Sequence, residues 1–320
     1  MKNTDQILTL LSQHENYFSG QELAKRLNIS RTAVWKAVKS LQEQGHMIES
    51  RPHQGYRYLD SNTLNSARIK YYLAPQIDLD LLLFDSLPST NLKAKELSLT
   101  TNKRPLVVLA DQQTEGYGRY RRQFISPKGT GIYLSLLLDN SRLDFDPGLL
   151  TTATAVALTR TLEQLFELSP QIKWVNDIIV SDKKVCGILT EGITDLETRS
   201  LNQVVVGCGI NFLTDPKTFP SELQQRAGSL RSYVLQTELS RNRFIATFLN
   251  NFFSLYADYY TGAFMAEYKA HSNVIGHHVT ITQGQKEFNA FVSDINTKGE
   301  LVLQDGTCLA SGEVTKIRPK

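Results

Sequence analysis

Three hydrophobic rhythms follow one another along the chain. In the first 60 or so residues the rhythm is helical and then shortens to two. Ser19 and Glu22 form a capping-box pair, which predicts a helix running through Leu27. Ser30 caps the next predicted helix, from Arg31 to about Gln44, where Val34, Val38 and Leu41 recur at i, i+4 and i+7. Those positions face a small core with Ile7, Leu23 and Leu27, and Gly45 ends the helix. "MIESRPHQGYRYL" then reads as a strand, a polar turn around His53 to Gly55, and a second strand. The order is a helix-turn-helix followed by a wing.

The second rhythm is mixed. After a connector holding one helix, "SARIKYYL", closed by Pro75, strand-like runs alternate with helical ones. "DLLLFDSL", "RPLVVLADQQ" and "GIYLSLLLD" read as strands, as do "IKWVNDIIV", "VCGILTEGI" and "VVVGCGINF". Ser89 or Thr90 caps a helix over "PSTNLKAKELS". Leu149 to Phe166 is a long apolar helix, and Arg241 to Tyr260 another, with Phe244, Phe248, Leu255 and Tyr259 on one side. From about residue 271 strand and turn dominate, with glycine-containing turns at a spacing that predicts a small β-barrel. The expected organisation is multidomain α+β: a winged helix at 1–62, a connector at 63–80, a central mixed sheet backed by helices at 81–268, and an SH3-like β-barrel at 269–320.

Composition narrows the classes. The 320 residues are 41% apolar and 21% charged with a net charge of +3, so any nucleic-acid footprint must be local. Residues 1–60 carry a net +2, which is weak. A helix presenting Arg31, Thr32, Trp35, Lys36 and Lys39 on its outer side nevertheless suits a major groove. A small helical domain for protein contact is the plainer alternative. Cys186, Cys208 and Cys308 lie far apart, giving neither a zinc pattern nor a disulfide framework. There is no signal-peptide run near the start and no apolar stretch of about 18 residues, so a soluble cytoplasmic protein is expected.

Candidate chemistry gathers at strand ends. "TEGYGRYRRQF" places Gly116 and Gly118 around Tyr117 and adds Arg119, Arg121 and Arg122. Glycines let a loop turn and offer N–H groups to an anion, and arginine forks match phosphate or carboxylate. The loop matches neither a Walker motif nor a dinucleotide fingerprint, and a solvated basic turn stays open on local grounds. In "KWVND", Lys173, Trp174 and Val175 read as strand, interrupted by Asn176 and Asp177. Lys173 suits a phosphate and Asp177 a metal or ligand, against the plain reading of Asp177 as a turn residue. Period two puts Lys184, Cys186 and Ile188 on one face and Val185, Gly187 and Leu189 on the other. Gly187, Gly207 and Gly209 would let a ligand approach the sheet, with Asn211 supplying an amide. His271, His277 and His278 have no acidic cluster beside them and read as surface or packing residues.

Taken together, "STN" at 89–91, "QTEGYGRYRRQFISPKGTGIYLSLLL", "KWVNDIIV", "KKVCGILTEG" and "GCGIN" resemble the biotin–protein ligases, in order and spacing and over nearly the whole chain. The amino-terminal helix-turn-helix resembles the bifunctional subgroup that also represses biotin genes. The resemblance implies formation of biotinyl-5'-adenylate from biotin and ATP with Mg²⁺, then transfer of biotin to a lysine on the biotin carboxyl carrier domain of a biotin-dependent carboxylase. It also implies an adenylate-responsive homodimer on operator DNA, with no membrane partner. By resemblance, Ser89, Thr90, Asn91, Gln112, Lys184, Gly187 and Gly209 fall to biotin, and Gly116, Gly118, Arg119, Arg122, Trp174, Asn176 and Asn211 to ATP or adenylate. Lys184, Arg119, Lys173 and Asp177 fall to catalysis, Asp177 also to an indirect role at magnesium, and Arg31, Thr32, Trp35, Lys36 and Lys39 to DNA.

The loop departs from the family's G-R-G-R-x-G-R. Tyr117 stands for the first arginine, Arg121 for the third glycine, Glu115 for a small residue and Phe124 for tryptophan, and Val175 replaces a proline. Those departures motivate one alternative, a biotin-sensing DNA-binding repressor with little or no ligase activity. A lipoate or octanoate ligase relative is the other.

Overall fold

The computed structural model describes residues 2–140, 145–194 and 201–317. The chain folds as two units, Met1–Gln76 with Leu239–Thr247, and Ile77–Glu238 with Phe248–Lys320.

In the first unit, α1 (Asn3–Ser12), α2 (Gly20–Leu27) and α3 (Arg31–Glu43) precede a hairpin of β1 (Ile48–Arg51) and β2 (Gly55–Tyr58), and α4 (Ser66–Tyr72) follows. Ser19 and Ser30 cap α2 and α3 by accepting from Glu22 N and Ala33 N. Ile7, Leu11, Leu23, Val34, Val38 and Leu41 close the core as their spacing predicts. Gly45 leaves α3 at φ +89, where only glycine is free of strain. Asn242 is fully buried and explains why its segment belongs here: its side chain donates to Ser61 O and Thr63 O and accepts from Asn65 N.

The second unit is built on a seven-stranded sheet. Its strands are β3 (Asp80–Phe84), β4 (Leu106–Ala110), β5 (Ile132–Asp139), β6 (Gln171–Lys173), β7 (Asp177–Val180), β8 (Lys183–Thr194) and β9 (Leu201–Ile210). They lie in the order β3-β4-β5-β9-β8-β7-β6, antiparallel except for β3 on β4. Between β3 and β4, α5 (Thr90–Ser98) packs on β4, β5 and β9, while α6 (Pro147–Phe166) packs on β7 and β8. The buried length of α6 runs from Leu149 to Leu162, so its apolar run is a core helix. Among the described residues no helix is long and apolar enough to cross a membrane. Short α7 (Ser221–Gln224) and α8 (Arg231–Thr237) lead to α9 (Arg241–Tyr256), whose residues up to Thr247 count with the first unit and the rest with the second, and α10 (Met265–Ala270) comes next. The helix expected over Arg241 to Tyr260 thus stops at Tyr256, before a short 3₁₀ turn.

Two expectations are corrected here. The carboxy-terminal strands β10 (His278–Gln283), β11 (Lys286–Ile295), β12 (Leu301–Leu303), β13 (Cys308–Leu309) and β14 (Glu313–Ile317) form an open sheet, β13-β12-β11-β10-β14. Among the described residues no sheet closes into a barrel, because the two ends of this one, β13 and β14, do not pair. Closure requires matched strand length and stagger, and β13 offers only Cys308–Leu309, both paired to β12. Strand β14 turns back onto β10 instead, through a bulge at Thr280/Ile281. The second correction concerns "IKWVNDIIV", which is two strands and a turn. Lys173 ends β6, Asp177 begins β7, the two residues pair, and Trp174–Asn176 turns between them.

Candidate active site and nucleic-acid interface

A cavity of about 130 Å³ lies over β8 and β9. Its polar end comes from the start of α5. Ser89, the cap residue, Thr90 and Asn91 are each no more than 5% exposed, so their polar groups must find partners. Thr90 N and Oγ1 donate to Gln113 Oε1 at 2.8 and 3.1 Å, and Gln113 Nε2 donates to Ser126 Oγ at 3.0 Å. Ser135 Oγ lies 2.8 Å from Thr90 Oγ1 and 2.6 Å from Asn91 Oδ1. Asn91 Nδ2 donates to Glu191 Oε2 at 2.7 Å.

The floor is sheet backbone. A Cβ on Gly207 would lie 2.1 Å from Asn91 Oδ1, and one on Gly209 2.6 Å from the Phe124 ring. Both glycines are therefore required by close approach. Lys184 and Gly187 share a face, contrary to the period-two expectation: a Cβ on Gly187 would meet Lys184 Cε at 3.1 Å. The cause is a bulge in which Ile178 pairs with Cys186 but Ile179 pairs with Lys184, leaving Val185 extra. One extra residue flips the alternation.

The opposite end is cationic. Lys184 Nζ sits 2.6 Å from Asp177 Oδ1. Burial holds the Lys173 ammonium below its ordinary pKa, against the pull of Asp177 and Glu313. Arg119 donates to Asn176 Oδ1 at 3.3 Å and to Gly312 O at 2.8 Å, and Arg122 pairs with Glu313. The Trp174 indole is buried and donates to Gly299 O at 2.9 Å. Tyr268 Oη donates to Val175 O, bracing the turn, and the Trp174–Val175 peptide is cis. Cys208 also lines the cavity, but burial pushes its thiol up, which removes it as a nucleophile at neutral pH.

Most of the expected residues meet here: Ser89, Thr90, Asn91, Gly118, Arg119, Arg122, Lys173, Trp174, Asn176, Asp177, Lys184, Gly187 and Gly209 all line the cavity. Gln112, Gly116 and Asn211 do not. Gln113 takes the lining position next to Gln112. Gly116 packs under the loop, where a Cβ would meet Phe124 O at 2.5 Å. Asn211 donates to Gly228 O, clamping the segment whose Arg226 O and Gly228 N bond the Lys184 backbone. Gln113, Ser135, Glu191 and Glu313 were missed. Glu191 lay inside a quoted motif, on the same face as Gly187 and Leu189 by plain alternation, whereas Glu313 had no local signal.

Among the described residues no three His, Cys, Asp or Glu gather to hold a metal. Two carboxylates line the cavity's cationic side, Asp177 paired with Lys184 and Glu313 paired with Arg122, too few to cage a cation by themselves, which fits a magnesium ion carried mainly by phosphates.

In the first unit, α3 buries Val34, Ala37, Val38 and Leu41 and exposes Arg31, Thr32, Trp35, Lys36 and Lys39. Trp35 is 52% exposed, with Lys39 Nζ 5.5 Å from its ring. An open cleft of about 740 Å³ between α3 and the β1–β2 turn is lined by Arg31, Thr32, Trp35, Arg51 and His53.

Comparison with known proteins follows the same division. Residues 3–57 match the family described as HTH domain, and residues 83–211 match the Biotin/lipoate A/B protein ligase family. The bifunctional ligase/repressor BirA of Bacillus subtilis is 36% identical over 262 residues, covering 81% of this chain and 79% of that protein. That of Escherichia coli is 26% identical over 308 residues, covering 94% and 92%. The solved biotin protein ligase from Aquifex aeolicus in complex with biotin and ATP superposes with a TM-score of 0.59 at 23% identity, covering 75% of this chain and 99% of that one, a likeness of fold.

Proposed function

The chain belongs to the family of bifunctional biotin–protein ligases and repressors, and from that premise we propose how its residues divide the work. The protein is an ATP-dependent biotin ligase and a biotin-responsive repressor. A biotin carboxylate oxygen attacks the α-phosphorus of ATP, releasing pyrophosphate and leaving biotinyl-5'-adenylate. A carrier-lysine amine then attacks the acyl carbon, and AMP leaves.

The observation that carries this assignment is the cavity's polarity. Ser89, Thr90, Asn91 and Gln113 offer neutral hydrogen-bonding groups at one end, suited to a ureido ring. Lys173, Lys184, Arg119 and Arg122 gather cations at the other, where a carboxylate must approach a triphosphate. Lys184 is the group we assign to the reacting carboxylate and α-phosphate, and Asp177 orients it. Magnesium bound with the nucleotide would offset phosphate charge, held on the protein side by Asp177. Trp174 and the turn after it serve the adenine side. Residues 1–62 serve operator DNA, 63–80 connect, 81–268 carry the chemistry, and the 269–320 segment contributes Gly312 and Glu313 to the loop arginines. A biotin carboxyl carrier domain, operator DNA and a second copy of the chain are the partners.

The direct test is transfer of labelled biotin to a carrier domain with and without ATP and Mg²⁺. Rapid ATP-dependent labelling is expected. Adenylate formation without labelling would instead favour a sensing repressor, the reading that Tyr117 and Arg121 motivate. For the DNA face, Lys36→Glu should weaken operator binding about tenfold or more while adenylation continues. Equal loss of both activities would overturn the division of labour.

A further inference from the structure

Tyr117 is a departure from the arginine-rich loop pattern that this segment resembles, and its side chain has a definite partner. The phenol donates to Glu191 Oε2 at 3.0 Å. The same carboxylate accepts from Asn91 Nδ2 at 2.7 Å and, through Oε1, from Lys95 Nζ at 2.7 Å. The Arg121 guanidinium lies 4.7 Å from the Tyr117 ring centroid. The loop therefore reaches Asn91, on the cavity's polar wall, through one shared carboxylate.

The loop needs such a tie. Tyr117 bridges Gln123, Gly118 N bonds Arg122 O, and the tip between them puts Tyr120 and Arg121 at φ 57 and 58. Consecutive left-handed residues with side chains are strained. An arginine at position 117 would bring a second cation beside Arg121. The phenol brings none, and burial with the Glu191 charge beside it pushes its pKa up to about 12, which keeps it a donor at neutral pH. Desolvation raises the Glu191 carboxyl, but Lys95, Asn91 and Tyr117 outweigh it and hold the group below its ordinary value, charged and able to accept all three bonds.

We infer that Tyr117 is a positioning residue that latches the adenylate loop to Asn91 through Glu191, so that biotin's side of the cavity and the loop covering it are ordered together. The inference rests on the ligase reading above. Its consequence lies in retention: the latch holds biotin and its adenylate in place until a carrier opens the loop. It acts through Glu191 and Asn91, without touching the reacting atoms.

The test compares native protein, Tyr117→Phe, Glu191→Ala, which leaves no acceptor, and the double variant. Phenylalanine keeps the ring for Arg121 and removes only the donor. Losing a hydrogen bond to a charged group corresponds to a factor of about ten or more. Tyr117→Phe should raise the KM for biotin and the release rate of preformed biotinyl-5'-adenylate by about tenfold, with kcat changing far less than KM. The double variant should be no worse than Glu191→Ala alone, since both remove one link. Unchanged KM and release in Tyr117→Phe, or additive losses in the double variant, would overturn the latch. Failure of the native chain to make adenylate would overturn the ligase reading, and the latch with it.

Discussion

The floor and the roof of the cavity are made of opposite materials. The floor is β8 paired along β9, with Gly187, Gly207 and Gly209 leaving the backbone bare. The roof is the loop from Gly116 to Phe124, held by one short bridge and by side chains reaching Glu191, Asn176, Gly312 and Glu313. Ladder hydrogen bonds fix the floor whether or not a ligand is present. The roof depends on a few contacts and carries two left-handed residues, each costing about 1–2 kcal/mol. Local stability of this uneven kind lets one part open while another stays set. The floor governs which groups fit, and the roof governs how long they stay, which suits a ligase that must keep a reactive adenylate and then surrender it.

Lys184→Ala should separate chemistry from enclosure most strongly. The lysine belongs to the floor and sits on Asp177, so its loss removes a cation and leaves a carboxylate facing the phosphates. Pyrophosphate release should fall by about 10²–10³ in kcat, with biotin affinity, measured by calorimetry, falling much less. Equal losses in both would make Lys184 a binding group and move the chemical assignment to Lys173 or Arg119.

A pair of glycine substitutions sets floor directly against roof. In Gly207→Ala the new Cβ would meet Asn91 Oδ1 at 2.1 Å, and Asn91 cannot retreat because Ser135 and Glu191 hold it. Biotin affinity should drop about 5- to 150-fold, the range of a 1–3 kcal/mol overpacking cost. In Gly118→Ala the nearest atom is Arg122 O at 3.9 Å and the backbone is extended, so affinity should change by less than about threefold. The reverse order would mean that the roof, not the floor, sets the fit.

The same division explains what could be read in the sequence. Features set by neighbours within a few residues were legible: the Ser19 and Ser30 caps, the Val34–Val38–Leu41 stripe, and the Gly45 stop. The glycines of β8 and β9 signalled close approach for the same reason. Phase errors were harder. Whether Gln112 or Gln113 faces the cavity depends on one residue at the end of β4, and the bulge at Val185 swaps the faces of β8 without any mark in its composition. Long-range pairing was invisible. Alternation announced the carboxy-terminal strands but not that β13 and β14 stay apart, nor that Glu313 meets Arg122 across most of the unit's sequence. The roof's substitutions, read from the chain, looked like losses. The Tyr117–Glu191 bond gives the tyrosine a task of its own.

Arg121→Gly carries the smallest expected effect and tests whether strain in the roof is real. Glycine at φ 58 relieves about 1–2 kcal/mol of left-handed strain. It also gives the unfolded chain about 0.5–1 kcal/mol more freedom to lose. The guanidinium over the Tyr117 ring is lost as well, worth about 0.5–1 kcal/mol. These terms nearly cancel, so thermal unfolding should shift by no more than a few degrees, or about 1 kcal/mol. Release of adenylate is a finer reading, because the loop keeps its Glu191 latch but loses the cation stacked on it. A two- to threefold faster release is expected, about 0.5 kcal/mol. A stability loss above about 2 kcal/mol would instead show Arg121 bearing load for the fold. The roof would then be as fixed as the floor, and retention would have to be explained by the floor alone.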